Sequence, residues 1–329
     1  MEPATALPLP AAPGVRASFD HSVATSPAST PSPRPHITVC VCTYRRPQLL
    51  RRLLDSLLKL TPSAPFTFSV VVADNDAAQS AEETVRAFSA QAPFPVVYGV
   101  EPEQNIALVR NRALSLATGD FVAFIDDDEF PDPDWLIQLH ATCEQTGASG
   151  VLGPVRPHFD QPPPDWIVKG RLCDRPEHPT GTVLRWSQGR TGNVLFRRAI
   201  LPDLDPPFRA EFGTGGEDQD FYRRAMECGA KFTWCNEAIV YETVPPSRCR
   251  RRYMLKRALL RGRNSLKHAR GRGAMIAKSL VAVPLYLLSL PVSLLRGHHR
   301  FMQTSVRLCD HLGRILTILR INPVSERDM

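Results

Sequence analysis

What most constrains the fold of this chain is an alternation between residues 37 and 157, in which short β-branched runs give way repeatedly to stretches of helical period. ITVCVCTY (37–44) reads as a strand, and residues 47–60 then place Leu49, Leu50, Leu53, Leu54, Leu57 and Leu58 at helical spacing behind a Pro47 suited to a first turn. FSVVVADN (68–75) repeats the strand, and 80–91 opens a second helix with Ser80 and Glu83 in the order of a capping box. A third strand at 95–102, a helix at 106–118 closed by Gly119, a fourth strand at 121–128 and a helix at 135–146 ended by Gly147 continue the series. SGVLGPVRP (149–157) closes it as one more strand. Such a βα series implies an α/β fold, a mostly parallel sheet covered by helices on both faces. Downstream, 158–190 is irregular around the run Pro162–Pro164, 193–198 returns to the sheet, and 215–229 is a glycine hinge opening a short helix. Residues 231–243 supply one or two further strands.

Composition bounds the rest. The formal net charge of +7 is unevenly placed, because the stretch between Glu242 and Asp310 holds fifteen Lys and Arg and none of the 33 acidic residues. The remainder is net acidic, so the positive surplus belongs to a C-terminal arm rather than to a general nucleic-acid surface. Eight cysteines without a CxxC pair suggest neither a disulfide framework nor zinc, and Cys40 and Cys42 read as small buried residues on one face of a strand in a reducing cytoplasm. The expected division is a disordered Pro, Ala and Ser-rich leader (1–35), an α/β domain (36–245) and a basic, apolar arm (246–329).

In open parallel sheets ligands bind outside the carboxyl ends of the strands. Here the first strand ends in Thr43, Tyr44 and Arg45, the second in Asp74, Asn75 and Asp76, and the fourth in Asp126, Asp127, Asp128 and Glu129. Four adjacent carboxylates after an apolar run need an offsetting charge. If the extended alternation continues, Asp126 and Asp128 point the same way and share one hard cation, Mg²⁺ or Mn²⁺, which completes its shell with water and substrate phosphates.

Taken in order, CTYRRPQLLRRLLDSL, VVVADND, EPEQNIALVRNRAL, FIDDDEFPDPDWL, TGNVLFRR and GGEDQDF give residues 37–243 a clear resemblance to family 2 glycosyltransferases of the GT-A fold, in particular the bacterial exopolysaccharide (succinoglycan-type) members. One departure is Gln104, Asn105 and Ile106 where Gly-Ile-Ala is usual. The resemblance implies a nucleotide-sugar donor, with Thr43, Arg45 and Asn75 near the nucleotide and Asp74 accepting from the base, usually uracil. It implies Arg110 and Asn111 at nucleotide or phosphates, Asp126 and Asp128 at ribose and metal, and Asp127 among the substrate contacts. It makes Asp218 the general base of an inverting displacement, with Glu217 the competing candidate. Gly192 and Asn193 fall in the acceptor segment, and Trp166 is either a stacking platform for a sugar ring or a loop anchor. Two other readings of the residues stay open: a non-catalytic nucleotide-sugar-binding assembly protein, and a phosphohydrolase with Asp126 as nucleophile.

The arm begins with a basic segment, 247–272, whose Tyr253, Leu255, Leu259, Leu260 and Leu266 recur at near-helical intervals, as on a helix lying on anionic lipid. It continues with seventeen uncharged residues, 279–295, flanked by Arg270, Arg272 and Lys278 before and Arg296 and Arg300 after. Basic residues on both flanks disfavour a single crossing, and Pro284 and Pro291 suit a broken or shallow insertion. The expected location is the cytoplasmic face of the plasma membrane, peripheral or re-entrant, facing a lipid-linked glycan acceptor. A helix buried within the protein is the other reading of 279–295.

Overall fold

A computed structural model describes residues 34–61, 65–213, 215–266 and 271–321, so most of the expected leader and the tip of the basic segment lie outside the described residues. In chain order the first half contains β1 (His36–Thr43), α1 (Pro47–Leu57), β2 (Thr67–Asp74), α2 (Glu82–Ser89), β3 (Val96–Val100), α3 (Ile106–Leu116) and β4 (Phe121–Asp126). There follow β5 (Glu129–Pro131), α4 (Trp135–Thr146), β6 (Gly150–Leu152), β7 (Val155–His158), a short α5 (Asp165–Lys169), β8 (Val194–Arg197), α6 (Glu217–Glu227), β9 (Phe232–Trp234) and β10 (Val240–Thr243). Helices α7 (Arg251–Asn264), α8 (Arg272–Leu295) and α9 (His298–Ile318) form the arm.

The main sheet has the order β3-β2-β1-β4-β8-β6-β9 and is parallel except for β8, which runs against both neighbours. Alternation along β1 sends Ile37, Val39 and Val41 to a core shared with the leucines of α1, Phe88 of α2 and Trp135 of α4, while Cys40 faces a second core with Val109 of α3 and Phe221 of α6. Helices thus cover both faces, as the βα series requires. All eight cysteines are unpaired. Register aligns Thr43 with Asp74 and Cys42 with Asp126, which brings the polar ends of three strands to one edge.

Several local expectations are corrected. Residues 149–157 are not one strand: β6 belongs to the main sheet and β7 to a second, three-stranded sheet of order β5-β10-β7. The chain changes sheet at Gly153, where a Cβ would come within 2.3 Å of the Ala238 carbonyl. Asn193 pins this switch and the parallel one between β9 and β10. Its amide donates to the carbonyls of Pro154 and Ala238, its Oδ1 accepts from the Trp135 indole, and its φ of 62° is one that asparagine tolerates better than most residues. Asn193 is therefore a buried structural joint, not an acceptor contact.

Helix α2 begins at Glu82 without a side-chain cap, because the amide of Ala81 is already bonded by Asp74 from the end of β2. Asn105, the departure noted above, is the N-cap of α3 and accepts from the amides of Ala107 and Leu108. In the arm, α8 runs unbroken through Pro284 and Pro291. It is steadied against α9, where His311 meets Ser279 at 3.0 Å and stacks near Tyr286, as neighbouring helices can do for backbone groups that proline leaves unbonded. The apolar positions of α7 turn inward: Met254, Ala258 and Leu260 are buried, and Gly262 and Gly313 let the α7 and α9 backbones touch. Among the described residues most of the exposed apolar surface of the arm is that of α8, with Leu285, Leu288 and Leu295 open to solvent, and Ile318, Leu319 and Ile321 add to it at the end of α9.

Replacing Asn193 by Ala strands two carbonyls and an indole N–H in the core, each worth about 1–3 kcal/mol when unsatisfied. Asn193→Ala is expected to lower the midpoint of urea unfolding by the equivalent of roughly 3 kcal/mol or more. An unchanged midpoint would remove Asn193 from the joint.

Candidate functional site

Where the strand ends meet, a cavity of about 380 Å³ opens, and Thr43, Asn75, Arg110, Asp126, Asp127 and Asp128 all line it. After Asp126 the extended chain stops, because residues 127 and 128 form a turn into β5. Strand alternation therefore cannot be what relates Asp126 to Asp128. Asp126 stays open to solvent, with 45% of its side-chain surface exposed, and lies 4.0 Å from the Arg110 guanidinium. Asp127 turns inward and accepts from the Thr43 hydroxyl at 2.8 Å and from Arg46 at 3.2 Å. Asp128 accepts from Arg248, just ahead of α7, at 3.2 Å and lies 3.5 Å from Arg46.

Glu129 is buried, with Oε2 accepting from the amide of Asp126 and Oε1 without a hydrogen-bond partner. A Cβ on Gly192 would fall 2.8 Å from Asp126 Oδ2 and 2.9 Å from Glu129 Oε1, so the glycine leaves room for two carboxylate oxygens that converge on one point. Glu217, at the start of α6, is buried in an ion pair with Arg110, while its Oε2 has no partner. Asp218 beside it is part-exposed and accepts only from the next amide.

Electrostatics follow from crowding. Desolvation, reinforced by Asp126, raises the pKa of Glu129 well above the usual carboxylate range. Desolvation likewise pushes Asp127 up to about 6 against the pull of Arg46, and raises Asp126 and Glu217 against the pull of Arg110. Glu242 differs: burial works against its charge, but Arg175, Arg248 and Arg257 together hold its pKa below the ordinary value.

The orphaned Glu129 oxygen, the open Asp126 carboxylate and the gap at Gly192 make an oxygen-rich corner that fits a hard cation. Among the described residues no three His, Cys, Asp or Glu side chains form a metal cluster, so a cation held there would draw the balance of its ligands from water and phosphates.

Other expected residues are elsewhere. Arg45 sits at φ 53°, points outward and pairs with Asp76; its neighbour Arg46 lines the cavity instead. Asp74 is fully buried, its oxygens taken by the amides of Asp76 and Ala81 and by the Tyr98 hydroxyl, so it braces a loop and has no face for a base. Asn75 lines the cavity but spends its amide on the carbonyls of Glu101 and Glu103. Asn111 lies on the far side of α3, exchanging hydrogen bonds with the backbone of Phe208. Trp166 packs near His298 of α9 and is a loop anchor. Sequence reasoning missed Arg46, Arg175, Glu242, Arg248, Tyr253 and Arg257. The one available signal was that the basic stretch begins directly after Glu242.

An α/β domain that presents acidic and guanidinium groups together beyond the carboxyl ends of a mostly parallel sheet has the ligand site of an open α/β fold, with the charges to hold an anionic ligand. The comparisons narrow this. The model of glycosyl transferase family 2 matches residues 38–205. Succinoglycan biosynthesis protein ExoM of Rhizobium meliloti is 40% identical over 233 residues, covering 69% of this chain and 73% of that one. Glycosyltransferase AglE of Haloferax volcanii is 24% identical over 211 residues, covering 62% and 66%. The S. aureus TarS 1-349 structure in complex with UDP-GlcNAc aligns at a TM-score of 0.50 and 18% identity, over 88% of this chain and 93% of that chain, which speaks for the fold alone. The chain spans 39% of a longer TarS structure. This chain belongs to glycosyl transferase family 2, and it is a glycosyltransferase.

The Arg110–Glu217 pair joins α3 to α6 beside the cavity. Removing one partner of a buried pair leaves an uncompensated charge that costs about 3–5 kcal/mol. Arg110→Met is expected to destabilise the fold on that scale, and adding Glu217→Gln to restore much of the loss in chemical unfolding. A double variant no more stable than Arg110→Met would show that the two groups do not act as a pair.

Proposed function

We propose that this enzyme transfers a sugar from a UDP-sugar to a hydroxyl of a lipid-linked glycan during the building of an exopolysaccharide or other cell-surface polysaccharide, with inversion at the anomeric carbon. The observation that carries the reading is the convergence on one cavity of the open Asp126 with guanidiniums from three parts of the chain: Arg46 after β1, Arg110 on α3, and Arg248 and Arg257 from the arm. Such an assembly suits a diphosphate whose negative charge grows as the sugar leaves. The names of the relatives supply the polysaccharide context.

Asp126 and Asp128 would hold Mg²⁺ or Mn²⁺, with Glu129 behind them; when bound, the ion supplies positive charge to the departing diphosphate. Arg110 is already fixed by Glu217, so it meets the phosphates without reorganising. Arg248 is shared between Asp128 and Glu242 and sets the opposite wall. Asp218 is the base: of the two carboxylates opening α6 it is the one not committed to Arg110, so it is free to take the proton of the attacking hydroxyl. Asp218→Asn is expected to lower kcat by about 10²-fold or more while UDP affinity, measured by titration, stays within a factor of two; near-full turnover would exclude Asp218 as base.

The arm (246–329) carries the enzyme to its acceptor. Helix α8 has 24 residues, its most apolar 18-residue stretch has a mean hydropathy of 1.8 and is only 6% buried, and Lys278 and Arg296 bracket its apolar run. With α9 along one side, it suits an interfacial or re-entrant seat on the cytoplasmic face, where the flanking cations meet anionic headgroups. The exposure of Leu285, Leu288 and Leu295 weighs against the alternative of a helix buried within the protein. Burying a leucine is worth roughly 1.5–3 kcal/mol. Leu285→Asp with Leu288→Asp should therefore move the enzyme from the membrane pellet to the supernatant, and continued sedimentation would count against this seat.

A further inference from the structure

A second cavity, of about 280 Å³, lies against the far wall of the site. It shares no lining residue with the first, yet the two are joined back to back. Glu242 lines one and Arg175 the other, and these two form an ion pair. Gly192, which packs on the Asp126 carboxylate, also belongs to this wall.

The lining is unusual in charge. Arg175, Arg185 and Arg190 are joined there by His178, Gln188 and Trp234, and no residue lining the cavity is acidic. Arg175 is matched by Glu242. Arg185 has only a long contact, 3.4 Å, to the neutral Gln188. The guanidinium of Arg190 has neither a hydrogen bond nor an ion pair within the site. Desolvation, and then repulsion from Arg175, push its pKa down against the pull of Asp218 and Glu242.

The backbone that carries these groups is fixed. The Tyr222 hydroxyl donates to the Arg190 carbonyl at 2.6 Å, Gly189 lies flat on the Tyr222 ring, and 181–184 is clipped to β9 through Leu184 N–Phe232 O and Trp234 N–Thr182 O. A guanidinium that no carboxylate pairs directly, carried on a fixed backbone and lining the same cavity as a tryptophan, suits an anion borne on an apolar ring face.

We propose that this cavity is the acceptor subsite, and that it takes a sugar unit carrying an anion, a carboxylate or a phosphate, bound by Arg190 and Arg185 with Trp234 beneath the ring. The assignment rests on the donor reading above. In a single displacement the nucleophile arrives opposite the leaving group. The diphosphate occupies the side of Arg46, Arg110 and Arg248, and this cavity lies across Asp126 and Gly192 from it. Asp218, the base, is also the carboxylate felt by Arg190, so a bound anionic acceptor lies next to the group that takes its proton.

The test uses the full chain in detergent, saturated with UDP so that the donor cavity is closed. It is titrated calorimetrically with methyl glucoside, methyl glucuronide and glucose 1-phosphate. The two anionic probes distinguish a carboxylate on the glycan from a phosphate on the lipid side. At least one anion should bind about 10-fold more tightly than the neutral sugar, the scale of one charge-assisted contact of about 1.4 kcal/mol. Arg190→Gln should abolish that advantage and Arg185→Gln reduce it, both leaving UDP affinity and methyl glucoside binding intact. Equal binding of all three probes, no binding of either anion, or a preference that survives Arg190→Gln overturns the proposal. So does an Arg190-dependent preference for UDP-glucuronate over UDP-glucose, which would place the anion on the donor. Failure of UDP itself to bind would instead strike the donor reading.

Discussion

Carboxylates packed together at the end of a sheet repel one another, and much of this molecule is organised by the guanidiniums that offset the repulsion. Asp127 and Asp128 share Arg46, Glu217 holds Arg110 near Asp126, and Glu242 gathers Arg175 and Arg248. Apart from Arg248 and Glu242, which are six residues apart, each pair ties together segments distant in the chain. Arg248 reaches Asp128 across 120 residues, and Arg110 reaches Glu217 across 107. Because buried pairs of this kind gain little net stability, their value lies in holding a charged cavity in one geometry. On the proposed function, Arg46 and Arg248 would turn from carboxylate to phosphate oxygens, which make similar demands on a guanidinium, while Arg110 stays fixed by Glu217.

The two-sheet arrangement puts this charge where it is useful. The main sheet delivers Thr43, Asp126 and the turn that follows, and the small sheet delivers Glu129 and Glu242 from the strand pair β5 and β10. Both sheets are fastened at Asn193, which bonds both crossover points and the Trp135 ring at once. The catalytic end of the molecule is therefore set by a neutral amide in the core as much as by the ions above it.

The alternation of strands and helices was legible because its periods are local: Val39 and Val41 need only their own neighbours to declare a strand. The convergence of Thr43 and Asp126 could also be read, since a parallel sheet puts its strand ends on one edge, whereas Arg110, on α3, came from the family resemblance alone. Other features were hidden for physical reasons. A strand-end aspartate looks the same whether it faces a ligand or braces a loop, and Asp74 proved to be a brace. Arg45 and Arg46 differ only in the backbone twist at φ 53°, which no pattern records. The choice of Arg248 among many arginines of the arm depends on how α7 docks, and the split of 149–157 between two sheets depends on a partner strand, β10, that comes much later in the chain.

The close approach of α7 and α9 has a mechanical meaning. At Gly262 an added Cβ would lie 2.1 Å from the Asp310 carbonyl, and at Gly313 one would lie 2.2 Å from that of Leu259. The two helices thus meet backbone to backbone, with no cushion of side chains to absorb a displacement. Helix α9 also carries α8 on its flank, and α7 begins three residues after Arg248. A lateral push on the apolar helix would therefore be met by α9 and α7 together, and not by side chains yielding between them.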